Sequence, residues 1–145
     1  LLSDLLYWYS FPPPPVVMRP LMVFHHVLCM GGTLYAMRAC PRATLPCFTA
    51  AIVALEFGSG FSNLFHLFRD SPGVVPVVKP LYFLGMTFSN SGGTYFLLAW
   101  GRSMRDSNRK THPLARWVPI LISLILIVMR QETVHRLAGP TGWSW

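Results

Sequence analysis

Residues 45–68 read LPCFTAAIVALEFGSGFSNLFHLF, a long apolar run in which Glu56 is the only residue certain to carry a charge. A helix needs roughly 20 apolar residues to cross a hydrocarbon layer of about 30 Å, so this run predicts one membrane-crossing helix. Similar apolar runs predict three further crossings, over residues 16–37, 80–101 and 114–130. The predicted fold is therefore an all-α, multi-pass transmembrane helix bundle.

The charge distribution is also typical of a membrane protein. Of the 145 residues, 52% are hydrophobic and only 12% are charged, whereas an ordinary soluble domain carries roughly 25% charged residues. The net charge of +7 comes from basic residues that lie between the apolar runs. Arg130, for example, ends the last run and is expected to extend to a membrane surface. Because no basic stripe is interleaved with aromatic residues, no nucleic-acid partner is predicted.

Small and polar residues within the apolar runs predict how the helices meet. One face of the 45–68 run repeats a small residue at every fourth position, which favours close approach of another helix: Ala50, Ala54, Gly58 and Ser62. Polar residues in a bilayer are costly unless they face protein or water, so we expect a shared polar cavity. Its expected lining residues are Thr33, Ser59, Asn63, Thr87, Asn90, Ser91 and Thr94. The alternative is a purely structural bundle in which these groups only bind helix to helix, at about 0.6 kcal/mol each.

Three residues are candidates for catalysis, namely His25, His26 and Glu56. Imidazole titrates near neutral pH and can act as a general base or a nucleophile, while a buried Glu56 could orient the ring or supply a proton. No cluster with metal-ligand spacing accompanies these residues, so no metal site and no bound cofactor are predicted. A haem- or metal-binding membrane redox protein is kept as an alternative.

Two segments together resemble the TLC-domain family of multi-pass membrane proteins. The first is Val23-Phe24-His25-His26, and the second, on the following predicted helix, is Leu55-Glu56-Phe57-Gly58-Ser59-Gly60-Phe61-Ser62-Asn63-Leu64. Upstream, Asp4-Leu5-Leu6-Tyr7 resembles the end of the preceding helix in that family. The resemblance implies that residues 1–145 form a single TLC-like transmembrane domain, part of a six-helix barrel whose first helices precede Leu1. Asp4 would then line the cavity.

The resemblance also implies a class of function. Family members act on membrane lipids, and the ceramide synthases among them transfer an acyl chain from acyl-CoA to a sphingoid amine through the matching histidines. Here Glu56 stands where those enzymes carry paired aspartates, so the chain is more similar to the non-synthase branch. We therefore expect an integral membrane protein involved in membrane lipid composition or sphingolipid-related metabolism, with membrane lipid as its partner. A ceramide-synthase-like N-acyltransferase that uses acyl-CoA as co-substrate is the alternative. The endoplasmic reticulum is the expected location, with the plasma membrane as the alternative, and the oligomeric state is left open.

Overall fold

The computed structural model describes residues 18–107 and 113–138, with side-chain positions for residues 26–38, 40–106 and 117–138. In these ranges every regular element is helical, which confirms the predicted all-α class. The elements are α1 (Met18–Ala39), a short 3-10 helix (Arg42–Thr44), α2 (Leu45–Phe68), α3 (Val75–Ser107) and α4 (Pro113–Ala138). The chain divides into two compact units: α1 belongs to a unit that ends at Cys40, and the other helices belong to a unit that begins at Pro41.

The beginning of α2 agrees with its prediction because two local features fix it. The Thr44 hydroxyl donates to the Pro41 carbonyl at 2.8 Å and closes the turn that precedes the helix. Pro46 then lies in the first turn of the helix, where its missing N–H leaves no intrahelical bond unmade. The helix runs over Leu45–Phe68, the range predicted from the apolar run.

The other helices differ from their predicted bounds at the ends. α1 is Met18–Ala39, so it ends two residues later than predicted, and the predicted start at residue 16 lies outside the described residues. α3 begins at Val75, with Pro76 in its first turn, so Pro80 lies inside the helix and not at its start. α4 continues from the predicted end at residue 130 to Ala138, because the intervening residues include no glycine or proline that would stop a helix.

Aromatic contacts show that α2 and α3 pack antiparallel. The ring centroids of Phe48 and Trp100 are 4.8 Å apart, at the beginning of α2 and towards the end of α3. The rings of Phe65 and Tyr82 stack at 4.6 Å, at the end of α2 and near the beginning of α3. We refer to these two ends of the bundle as the Trp100 end and the Tyr82 end.

α4 packs beside α3 and runs parallel to α2. A Cβ atom built on Gly101 of α3 would lie 2.7 Å from Ile120 Cδ1, so the beginning of α4 adjoins the Trp100 end. At the Tyr82 end, one buried apolar cluster joins residues of all three helices: Phe65, Tyr82, Met86, Val134 and Ala138. The three helices therefore share a buried apolar core at the Tyr82 end.

Small residues let α2 and α3 approach closely. A Cβ atom built on Gly92 would lie 3.5 Å from the Cβ of Ala54, and one built on Gly93 would overlap the side chain of Leu55. Gly58 similarly faces the side chain of Ser89. Ala54 and Gly58 of the predicted small-residue stripe thus lie at a helix–helix contact, as expected.

Within residues 18–107 and 113–138, two segments are long and apolar enough to span a membrane, namely Arg42–Phe68 and Trp117–Ala138. The crossings predicted over residues 16–37 and 80–101 are not among them. Their most apolar windows are only 22% and 17% buried inside the protein, so most of their apolar side chains face outwards. Apolar side chains of α3 also face outwards; Phe88, for example, is 74% exposed. The outer surface of the bundle is thus suited to a hydrocarbon environment.

Candidate functional site

The side chain of Arg130 enters the bundle from α4 and connects all three helices. Its Nη1 and Nη2 atoms both donate to the carbonyl oxygen of Leu55 on α2, each at 3.2 Å. Nη2 also lies 3.2 Å from the sulfur of Met86 on α3. The prediction that Arg130 extends to a membrane surface is therefore wrong: because α4 continues to Ala138, Arg130 lies within the helix and its guanidinium faces its neighbours.

Ser89 of α3 shares the acceptor that Arg130 uses. Its side chain is almost fully buried, and its hydroxyl lies 2.7 Å from the Ala54 carbonyl and 3.3 Å from the Leu55 carbonyl. The absence of a side chain at Gly58 makes room for both groups, because a Cβ atom there would overlap Ser89 Oγ and lie 2.6 Å from Arg130 Nη2. The backbone of α2 is therefore in direct contact with a hydroxyl and a cation.

Two amide side chains form a second set of hydrogen bonds, between α3 and α4. Asn90 Nδ2 donates to Gln131 Oε1 at 2.7 Å, and Gln131 Nε2 donates to Thr87 Oγ1 at 2.9 Å. The Thr94 hydroxyl donates to the Asn90 carbonyl at 2.8 Å. We refer to Thr87, Ser89, Asn90, Arg130 and Gln131 together as the central polar cluster.

One amide atom of this cluster has no hydrogen-bond partner among the described residues. Asn90 is 4% exposed, and its Oδ1 atom accepts no hydrogen bond from the part of the chain that the structure describes. The oxygen and nitrogen of the Asn90 and Gln131 amides can be exchanged, and the hydrogen bonds Asn90–Gln131 and Gln131–Thr87 are then both kept. The unpartnered atom of Asn90 would then be Nδ2, in the same position. Buried polar atoms are normally paired, so this position is suited to a polar group of a bound molecule or to water.

The cluster lies midway along the bundle, far from both ends. Leu55, whose carbonyl accepts from Arg130, is equally distant in sequence from the two limits of the span Arg42–Phe68. Apolar side chains separate it from the ends: Trp100 and Ile120 on one side, and Phe65 and Tyr82 on the other. In a bilayer this depth corresponds to the hydrocarbon core, where a charged side chain is costly and by default marks a functional site.

The predicted site residues occupy several different environments. Thr87, Asn90 and Thr94 take part in hydrogen bonds at or beside the cluster, whereas the Ser91 hydroxyl is exposed and donates to the Thr87 carbonyl of its own helix. On α2, Ser59 is half-buried, and Glu56 and Asn63 are exposed, so the structure does not place these two in the interior that holds the cluster. Ser91, Glu56 and Asn63 thus lie on the exposed surface of their helices.

The predicted residues of α1 belong to the unit that ends at Cys40, whereas the central polar cluster belongs to the unit that begins at Pro41. His26 is buried, and the Thr33 hydroxyl donates to the Cys29 carbonyl one turn earlier at 2.8 Å. The side chain of His25 and the whole of Asp4 lie outside the described residues. The predicted roles of His25 and His26 in catalysis stay predictions.

Sequence analysis missed three of the five cluster residues, namely Ser89, Arg130 and Gln131. Ser89 is adjacent to the predicted Asn90, and its small side chain in an apolar run was a usable signal for a close helix contact. Arg130 was placed at a surface because the apolar run stops there, and no prediction was made for Gln131, the next residue. The continuation of helix-compatible residues to Ala138 was the signal that they lie inside a longer helix.

The cluster can bind and orient a polar group, but it contains no nucleophile paired with a base. Arg130 contributes positive charge and several donors, Ser89 a hydroxyl, and Asn90 an acceptor. Among residues 18–107 and 113–138, no group of three or more His, Cys, Asp or Glu side chains is placed to hold a metal ion.

Comparison of the chain with protein-family models, with curated proteins and with solved structures finds no match.

Proposed function

We propose that this chain belongs to a multi-pass integral membrane protein that acts on membrane lipid composition, and that the central polar cluster contacts the polar part of a lipid. The observation that carries the proposal is the Arg130 guanidinium, which donates to the Leu55 carbonyl midway along a bundle with an apolar outer surface. A cation at that depth costs several kcal/mol in a bilayer. Since apolar residues could fill the same volume at lower cost, the arrangement favours a functional role.

The chemistry of the cluster supports a lipid with a mixed polar group. Arg130 favours an anionic or carbonyl-containing group, and the unpartnered amide atom of Asn90 needs a hydrogen-bonding group such as a hydroxyl, which can donate or accept. A lipid headgroup or linkage region that combines an acceptor and a donor satisfies both. Ser89 and Asn90 are buried, and a hydrogen bond to a buried group is stronger than one exposed to water.

The resemblance to TLC-domain proteins supports the same proposal. Its longer segment, residues 55–64, lies on α2 and includes Leu55 and Gly58, the two positions that contact Arg130. On this proposal the described helices form part of a six-helix barrel in the endoplasmic reticulum membrane. A ceramide-synthase-like N-acyltransferase is the second candidate, favoured by the burial of His26 within α1. In that reaction the sphingoid amine attacks the acyl-CoA thioester, a histidine accepts the amine proton, and coenzyme A leaves as the thiol.

Lipid profiling of cells that express the full-length protein tests the proposal. We expect Arg130→Met to change the profile relative to wild type, whereas Arg136→Gln leaves it unchanged. Arg136 is a suitable control because it lies on the same helix, is exposed and pairs with Glu132 at 3.6 Å. Arg130→Lys, which keeps the charge but loses the planar fork, should give an intermediate profile.

Three outcomes separate the candidates. Unchanged profiles for Arg130→Met, at wild-type protein levels, would refute the role of the cluster. Formation of ceramide from acyl-CoA and sphinganine by microsomes containing the protein, and its loss in His25→Ala, would favour the N-acyltransferase. If the wild-type protein forms no ceramide and Arg130→Met alters the lipid profile, the two results together support a role in lipid composition of the non-synthase type.

A further inference from the structure

Basic side chains collect at the Trp100 end of the bundle. Arg42 lies in the 3-10 helix that packs on α3, and Arg102 and Arg105 lie in the last turns of α3. All three are exposed. Because the Phe48–Trp100 contact fixes the antiparallel register of α2 and α3, these residues belong to the same end of the bundle.

The basic residues at the Trp100 end have fewer acidic residues near them than those at the Tyr82 end. Among the described residues, Asp106 is the only acidic side chain at the Trp100 end, and it lies 3.4 Å from Arg105. At the Tyr82 end, Arg69 pairs with Asp70 at 3.5 Å and Arg136 pairs with Glu132 at 3.6 Å. With Lys79 included, the described residues of the Tyr82 end are three basic and two acidic side chains, whereas those of the Trp100 end are three basic and one acidic, so the Trp100 end carries one more net positive charge.

The basic side chains lie level with the boundary of the candidate membrane spans. Arg42 and Trp117 are the first residues of the two spans, and both belong to the Trp100 end. Tryptophan is enriched at the boundary between hydrocarbon and headgroups, and basic side chains near helix ends extend into the headgroup layer. Arg42, Arg102 and Arg105 are thus placed where lipid phosphates lie.

We propose that the Trp100 end binds the headgroups of anionic lipids through Arg42, Arg102 and Arg105. This inference rests on the proposed membrane insertion of the bundle, but it concerns a surface distinct from the central polar cluster. Arginine binds phosphate oxygens through two parallel N–H donors, and basic residues close to a membrane surface favour its anionic lipids. Since anionic lipids are concentrated in the cytoplasmic leaflet, this end faces the cytoplasm.

Energy transfer to labelled lipids tests the inference. The full-length protein is reconstituted in phosphatidylcholine vesicles that contain a small fraction of dansyl-phosphatidylserine or dansyl-phosphatidylcholine, and transfer from tryptophan to dansyl measures lipid association. We expect wild type to prefer the serine lipid. The triple variant Arg42→Gln/Arg102→Gln/Arg105→Gln should weaken this preference by roughly a hundredfold. Raised salt should weaken it in the wild type, and inorganic phosphate at the same ionic strength should have no additional effect.

A charge-matched variant at the Tyr82 end is the control. Arg69→Gln/Lys79→Gln/Arg136→Gln removes the same number of basic residues and should keep the preference for the serine lipid. Equal losses in the two triple variants, or no preference in the wild type, would overturn the inference. These outcomes are independent of the proposed function, which is tested by the lipid profile of Arg130→Met.

Discussion

Replacing Gly58 with alanine tests the close contact on which the central polar cluster depends. The added methyl group would overlap Ser89 Oγ and would lie 2.6 Å from Arg130 Nη2. Ordinary contact begins near 3.4 Å, so the guanidinium or the α2 backbone has to retreat by roughly 0.8 Å. We expect the bonds from Arg130 to the Leu55 carbonyl and from Ser89 to the Ala54 carbonyl to lengthen or break.

The size of the effect follows from these losses. Inserting a methyl group into a well-packed interior costs about 1–3 kcal/mol. Weakening the hydrogen bonds of a charged group adds about 1.5–3 kcal/mol. The better helix propensity of alanine offsets about 1 kcal/mol, so we expect Gly58→Ala to lower the free energy of unfolding by roughly 1.5–5 kcal/mol. Gly60→Ala, on the same helix and with open space around it, should be neutral or stabilising by up to about 1 kcal/mol.

Unfolding of the full-length protein in mixed micelles with increasing SDS measures both variants against wild type. The lipid profile provides a second measurement, in which Gly58→Ala should resemble Arg130→Met and Gly60→Ala should resemble wild type. Equal stability of the two glycine variants would refute the packing argument. A stable Gly58→Ala protein with a wild-type lipid profile would separate the helix contact from the proposed function.

Three further predictions concern the cluster and the orientation of the bundle. Arg130→Lys should be less stable to SDS unfolding than wild type but more stable than Arg130→Ala, because lysine keeps the charge and loses the two-nitrogen contact with Leu55. Equal stability of all three proteins would contradict the observed hydrogen bonds. In a double-mutant cycle, Asn90→Leu and Gln131→Leu should each destabilise the protein and show a coupling energy of about 0.6–1.7 kcal/mol, whereas strictly additive losses would mean that the amide pair contributes nothing. In sealed microsomes, a cysteine at Asp106 should react with a membrane-impermeant maleimide from the cytoplasmic side and a cysteine at Ser71 should not, while the reverse pattern would contradict the proposed orientation.

The sequence predicted the helices better than their interior contacts. The 45–68 run predicted α2 to the residue, because a continuous apolar run has few alternatives to a helix of that length. The start of α3 was wrong because Pro76 and Pro80 can both occupy the beginning of a helix, and proline alone does not decide between them. Helix ends near proline depend on packing that the local sequence does not contain.

The candidate site was predicted in part. Asn90 and Thr87 were identified from their polarity within an apolar run, and they form hydrogen bonds with Gln131 between α3 and α4. Arg130 was missed because a charge at the end of an apolar run normally marks a membrane surface. Its actual partner is a backbone carbonyl, and every residue carries one, so no side-chain motif in the sequence could indicate Leu55 as the acceptor.

The shared use of the Leu55 carbonyl by Ser89 and Arg130 has a mechanical consequence. Turning α2 about its axis by one residue, about 100°, would carry this oxygen away from both donors and would bring a bulkier residue to the position of Gly58. Rotation of α2 against α3 is therefore opposed both by the loss of these hydrogen bonds and by the overlap that a side chain at position 58 would create.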